Sequence, residues 1–108
     1  MNLLGKKCGP CEGGVPPFTP EQIAEFLPQL KGTWEVVDAR KLRREFKFED
    51  FAEAMKFVNK VADLAESQGH HPDFHIHWNK VQIELWTHEI GGLAENDFIV
   101  AAKIETLV

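Results

Sequence analysis

No run of apolar residues in this chain approaches the ~18 that a membrane-spanning helix needs. Residues 1–14 also lack the apolar centre of a secretory signal. A soluble, cytoplasmic protein with no membrane partner is therefore expected. Basic residues are few: twelve Lys and Arg against seventeen Asp and Glu leave a formal charge of −5. Contacts to a phosphate backbone require a basic face, so direct nucleic-acid binding is not expected. Cysteine is scarce as well. Cys8 and Cys11 lie together in a Gly/Pro-rich lead segment rather than in a spaced framework, which argues against a disulfide-stapled secreted fold and for reduced thiols. With 108 residues, 44% of them apolar, there is material for one hydrophobic core and no room for a second domain.

Residues 1–17 carry no helical or strand period and read as an extended N-terminal arm; 18–108 read as a single folded domain. Order starts at Phe18-Thr19-Pro20-Glu21-Gln22-Ile23. Thr19 can cap a helix, Pro20 suits its first position, Gln22 can reach back to the cap, and Phe18 can staple Ile23. Ile23, Phe26, Leu27 and Leu30 share one side of that helix, and Pro28 and Gly32 end or kink it. Two short strands follow, Trp34 to Val37 and Lys41 to Phe46, joined around Asp38 to Arg40. Leu42, Arg44, Phe46 and Phe48 point one way, and Arg44 interrupts that apolar face; it is expected to snorkel at a sheet edge or to meet a partner surface.

The clearest helix runs from Glu49 to Gln68. Phe51, Met55, Val58, Ala62 and Ala65 recur at steps of three and four, flanked by Ala54, Phe57, Val61 and Leu64, and Gly69 supplies the stop. The arc is wide enough to cover a sheet and a second protein surface, with Phe57 and Leu64 as candidates for the exposed part. After His70-His71-Pro72 comes a hairpin. A turn at Asn79-Lys80 sets Trp78 against Val81, Ile76 against Ile83 and Phe74 against Leu85, with His75 facing Glu84 and His77 facing Gln82 on the other side. Gly91-Gly92 turns the chain into a last helix, from Leu93 or Ala94 to Thr106. The expected architecture is α+β: a four-stranded antiparallel sheet with three helices packed on one face, in the order α-β-β-α-β-β-α.

Chemistry concentrates between residues 70 and 88, where all five histidines fall. His70 and His71 follow the end of a long helix, Pro72 stiffens the exit, and His88 lies just past a strand. Element ends are where polar side chains can reach a shared cleft. A His-His-Pro run alone is as compatible with a solvated turn as with catalysis. Glu66, Trp78 and Asp97, taken singly, read as a solvated helix residue, a core aromatic and a first-turn helix anion.

The longer pattern changes that reading. Glu66, three residues, His70-His71-Pro72, five residues, Trp78, nine residues, His88, eight residues, Asp97 resembles the signature of the pterin-4a-carbinolamine dehydratases. The resemblance extends through Phe46-Lys47-Phe48-Glu49-Asp50-Phe51, Trp78-Asn79-Lys80-Val81, Thr87-His88-Glu89 and Gly92-Leu93, and covers roughly Thr19 to Glu105. It implies a hydro-lyase that needs no metal and no cofactor and dehydrates 4a-hydroxytetrahydrobiopterin to the quinonoid dihydropterin. His70 and His88 would be its acid/base groups, and His71 would bind and orient the pterin. Glu66, Pro72, Trp78, Thr87, Glu89 and Asp97 would bind or support, with Glu66 and Asp97 fixing histidine tautomer or charge. The resemblance also implies a homodimer or homotetramer and a link, through tetrahydropterin recycling, to aromatic amino acid hydroxylases such as phenylalanine hydroxylase. Two departures stand out. Ala94 replaces the Ser or Thr that commonly begins the last helix, and Trp86 stands where some members carry a small residue, a change that would tighten the pocket or alter the pterin tail accepted.

Two rival readings remain open at this level. His75 and His77 on one strand face, with Cys8-x-x-Cys11, could form a metal site. The fold could also serve as a non-enzymatic dimerisation, assembly or transcriptional coactivator module, a role that would not need the histidines.

Overall fold

The capping box expected at Thr19 forms in full. In the computed structural model, which describes residues 3–5 and 16–108, Thr19 Oγ1 accepts the Gln22 backbone N–H at 3.3 Å and Gln22 Oε1 accepts the Thr19 N–H at 2.9 Å. Each bond satisfies a backbone donor that the helix itself cannot. Pro20 then opens α1 (Pro20–Phe26), and a single 3-10 turn containing Pro28 (Leu27–Gln29) ends it. The Phe18 ring docks on Phe26 and Phe98, with centroids at 5.1 and 6.0 Å, fixing the chain's entry against the last helix. Of the arm expected over 1–17, residues Leu3–Gly5 form a 3-10 turn with Leu3 buried, and Lys103 Nζ donates to the Leu4 carbonyl at 2.9 Å. Cys8 and Cys11 lie outside the described residues.

The sheet comprises β1 (Glu35–Val37), β2 (Lys41–Lys47), β3 (Asp73–His77) and β4 (Lys80–Leu85), all antiparallel, in the order β1-β2-β4-β3. Alternation along β2 and β4 turns Leu42, Phe46, Val81, Ile83 and Leu85 inward, where all are buried. They meet Ala54, Phe57 and Val61 of α2 (Phe51–Gln68) and the apolar side of α3 (Glu95–Glu105). The result is the expected α+β fold, with three helices on one face of a four-stranded antiparallel sheet. Asp50 caps α2 by accepting the Glu53 N–H at 2.9 Å, and Gly69 ends it at φ 64°, a left-handed conformation that glycine adopts without steric cost.

Three expectations change. The β3–β4 hairpin turns at Trp78-Asn79 rather than Asn79-Lys80, so Ile76 faces Val81 and Phe74 faces Ile83. The pairing slips by two positions, which preserves which side chains face the core and was therefore invisible to alternation. Asn79 fixes the observed turn: its side chain donates to the Phe48 carbonyl at 3.0 Å while its own carbonyl accepts the Phe48 N–H at 2.8 Å. Trp78 consequently leaves the core for the turn, at φ 51° and 65% exposed. Phe57, expected at the surface, is only 3% exposed, because the deepest stripe of α2 is Ala54, Phe57, Val61 and Ala65.

Arg44 is the third correction. It lies on an inner strand rather than at a sheet edge. Its guanidinium covers the Phe46 ring at 4.5 Å and the Trp34 ring at 5.8 Å, and it reaches Glu105 at the end of α3 at 3.5 Å. The charge is met within the chain.

Candidate active site

The left-handed cap at Gly69 redirects the chain so that His70, whose N–H still bonds back to the Ala65 carbonyl, drops into the interior at 7% exposure. Its Nε2 lies 2.6 Å from Asp97 Oδ1. Asp97 stands in the first turn of α3 and is fully buried. Its other oxygen, Oδ2, accepts the Thr87 hydroxyl at 2.9 Å and the Ala94 N–H at 2.9 Å. The loss of a capping hydroxyl at Ala94 thus leaves half a capping box, and the carboxylate half is the one that also holds the site. An ionised carboxylate offers only acceptors, so Nε2 of His70 is the donor in this contact, which fixes the orientation of the ring.

Thr87 closes the other side. Its N–H donates to the Gly92 carbonyl at 2.8 Å, and the bridge encloses a 3-10 turn, His88–Ile90, that ends at Gly91 with φ 65°. Gly92 cannot carry a side chain here: a Cβ would come within 2.6 Å of Pro17. His88 stands on this turn, half exposed, with its ring packed on that of Trp86 (centroids 4.1 Å apart) and its Nε2 3.8 Å from Asp73 Oδ2. Glu89 is exposed on the same turn.

His71 is exposed, with Nε2 2.8 Å from Glu66 Oε1 one helical turn back, and Pro72 is buried beneath it. His70, His71 and Pro72 precede β3, while Thr87 and His88 follow β4, its antiparallel neighbour. The three histidines and Glu66, Thr87, Glu89 and Asp97 therefore gather at one end of the sheet. Trp78 is not brought there. It occupies the opposite end of β3, about 17 Å away for a five-residue strand at ~3.3 Å per residue.

Two groups that the sequence reading did not assign to the site lie within it. Asp73, next after Pro72, accepts the Trp86 Nε1–H at 3.0 Å and faces His88. Trp86, which the family pattern marks as a departure that would tighten the pocket or alter the pterin tail accepted, packs on His88. On the outer face of the sheet, Glu84 is buried at 6% exposure and holds Arg43 (2.6 Å), His75 (3.2 Å) and Lys41 (3.9 Å). Burial alone would raise its pKa; hydrogen bonds from Arg43 and His75 and the charges of Arg43 and Lys41 outweigh this and hold it below the ordinary value near 4.5. His75 is thus occupied by Glu84, and among the described residues no group of three or more His, Cys, Asp or Glu is placed to hold a metal ion. Nor is any described helix long and apolar enough to cross a membrane.

The family model described as Pterin 4 alpha carbinolamine dehydratase matches residues 16–107. The chain belongs to the pterin 4 alpha carbinolamine dehydratase family. A Rubrobacter xylanophilus protein carrying the pterin-4-alpha-carbinolamine dehydratase name is 50% identical over 105 residues, which cover 97% of each chain. One from Rickettsia canadensis is 48% identical over 106 residues, 98% of this chain and 97% of its own. Among solved structures, the transcriptional coactivator/pterin dehydratase from Brucella melitensis superposes with a TM-score of 0.77 at 36% identity, covering 84% of this chain and 97% of that one. A pterin dehydratase-like RuBisCO assembly factor of the alpha-carboxysome shares the fold, with a TM-score of 0.61 at 24% identity over 71% of this chain and 90% of that one. A pterin carbinolamine dehydratase is a hydro-lyase: it expels water by breaking a carbon–oxygen bond, and that is the enzyme class of this family.

Proposed function

We propose that this chain dehydrates 4a-hydroxytetrahydrobiopterin to the quinonoid dihydropterin by histidine acid/base chemistry. The observation that carries this reading is the buried His70–Asp97 contact at 2.6 Å, with Thr87, next in sequence to His88, on the same carboxylate. A buried imidazole held by a carboxylate has a fixed tautomer and a defined atom for proton exchange.

The reaction needs two proton movements. Electrons from the ring nitrogen beside C4a form a C=N bond as the C4a–O bond breaks. The hydroxyl leaves as water with a proton from one imidazolium, while a ring nitrogen passes its proton to a second imidazole. His70 and His88 are assigned these acid and base roles. His71, exposed and steered by Glu66, binds and orients the pterin. Asp97 sets the hydrogen on His70, Thr87 and Pro72 hold the two histidine segments in place, Glu89 lines the His88 turn, and Trp78 supports the far hairpin. No metal and no cofactor enters this scheme.

The assay is dehydration of freshly generated 4a-hydroxytetrahydropterin by wild type, His70→Ala and His88→Ala. Positioned general acids and bases contribute about 10²–10⁴-fold, so each variant should lose at least about 100-fold. Equal rates for all three proteins would sink the reading. In the cell the proposed setting is cytoplasmic recycling of tetrahydropterin for an aromatic amino acid hydroxylase such as phenylalanine hydroxylase, by a homodimer or homotetramer.

A second reading, a coactivator or assembly module, draws on the exposed Ile76 and Trp78 at edge strand β3. The Brucella relative is described as both a transcriptional coactivator and a pterin dehydratase. Partner binding that survives His70→Ala but not Trp78→Ala would separate that role from catalysis.

A further inference from the structure

His88 has a difficulty that His70 does not. Its side chain is 55% exposed on a short 3-10 turn, and Asp73 Oδ2 at 3.8 Å from Nε2 is too distant for a hydrogen bond. An imidazole so placed can rotate among several rotamers in water, whereas a general acid or base must be held at its reacting atom. Something other than a direct hydrogen bond has to restrain it.

The restraint available is Trp86. Its ring packs on the His88 imidazole, with centroids 4.1 Å apart and planes inclined at 37°. The indole is in turn held from two neighbouring strands. From the first residue of β3, Asp73 Oδ2 accepts the Nε1–H at 3.0 Å. From the first residue of β2, Lys41 Nζ stands 4.9 Å from the centre of the ring, a distance at which a cation is attracted to an indole face. β4 runs between β2 and β3, so a residue just past its end can touch both. A small residue at position 86 would leave His88 without its ring partner and Asp73 without the N–H it accepts.

We infer that Trp86 is a positioning residue for His88: pinned by Asp73 and Lys41, it fixes the orientation of the imidazole by ring packing. The inference rests on the proposed role of His88 in dehydration. It adds that this chain couples the His71-Pro72-Asp73 segment to the His88 turn through an indole as well as through Asp97. The role assigned to Trp86 is exerted through His88.

A double-substitution cycle tests this. Trp86→Ala should lower kcat about tenfold with KM changed less than twofold, and Trp86→Phe, which keeps a ring but loses the N–H to Asp73, about threefold. In a His88→Ala background, Trp86→Ala should change kcat less than twofold, because residues acting as a unit are not additive. A full tenfold loss in that background, or a raised KM with unchanged kcat, overturns the inference. Thermal melts of Trp86→Phe exclude unfolding as the cause. A readout independent of turnover is the His88 ring-proton chemical shift, which should be displaced upfield by the indole in wild type and return in Trp86→Ala. No displacement in wild type overturns the inference whatever the assay gives, whereas an inactive wild type with a displaced ring overturns only the dehydratase reading.

Discussion

Asp97 Oδ1 and His70 Nε2 lie 2.6 Å apart in the interior, although 27 positions separate the two residues in sequence. The contact joins the end of α2 to the start of α3, and the second carboxylate oxygen secures the end of β4 through Thr87. One buried carboxylate therefore ties together three elements and the imidazole of His70.

Asp97→Asn separates charge from shape. The amide has one acceptor oxygen, so it cannot serve both the His70 Nε2–H and the Thr87 and Ala94 donors. Stability should fall by about 1–3 kcal/mol, the cost of a buried donor left unpaired. On the proposed role of His70, dehydratase activity should fall about 10–100-fold, the range found when a carboxylate that orients a metal-bound histidine is removed. Urea unfolding and the steady-state assay measure the two losses; an unchanged kcat would mean that His70 is not held by this contact during turnover.

Glu84 makes a prediction in pH. Its pKa is lowered in the folded state relative to the ordinary 4.5, so between the two values the unfolded chain binds more protons. Its ionic contacts therefore stabilise fully above about pH 4.5 and are lost as pH falls through the lower folded-state value. Unfolding free energies measured from pH 7 to pH 3 should decline below 4.5 in wild type. Glu84→Gln should be less stable at pH 7 and show a shallower decline; parallel curves for the two proteins would contradict the assignment.

Where local chemistry decides the structure, the sequence is readable. Thr19, Pro20 and Gln22 specify the start of α1, Gly69 the end of α2, and alternation along β2 and β4 the inward side of the sheet. The residues spaced from Glu66 to Asp97 lie at one end of the sheet, Trp78 excepted. What was hidden depends on contacts between distant residues. The hairpin register is set by Asn79 on Phe48, and a slip of two leaves the alternation intact. Phe57 reads like its neighbours on a broad apolar arc, and only the direction of the sheet places it in the buried stripe with Ala54, Val61 and Ala65. Asp73 and Trp86 acquire their site role from β2 and β3 lying either side of β4, an order that local patterning does not encode.

The β1–β2 turn carries a correctable cost. Asp38 and Ala39 both have positive φ, 53° and 55°, and a non-glycine residue in that region loses roughly 1–2 kcal/mol to the clash of its Cβ. Ala39→Gly removes that clash and produces the Asp-Gly pair favoured in such turns. Part of the gain is offset by the greater freedom of glycine in the unfolded chain. The net expectation is a stabilisation of about 0.5–1 kcal/mol, raising the melting temperature by roughly 4 °C for a domain of this size. A lower melting temperature would mean that the turn relaxes in solution.

Truncation of Glu105 should be strongly destabilising although the residue lies far from the site. Its carboxylate accepts the backbone N–H groups of Lys31 and Gly32 and the Trp34 indole N–H, and it faces the Arg44 guanidinium. Glu105→Ala strands all of these at once, beside a cation that lies over Trp34 and Phe46. Breaking such a largely buried pair from one side costs about 3–5 kcal/mol, against ~1 kcal/mol for an ordinary surface ion pair. Gly32 gives a complementary test, since a Cβ there would run into the Arg44 side chain and Glu105. Gly32→Ala should therefore also destabilise, and in a Glu105→Ala, Arg44→Ala background, where the space is vacated, it should cost less than about 0.5 kcal/mol. Equal costs in both backgrounds would place the constraint on Gly32 elsewhere than in this ion pair.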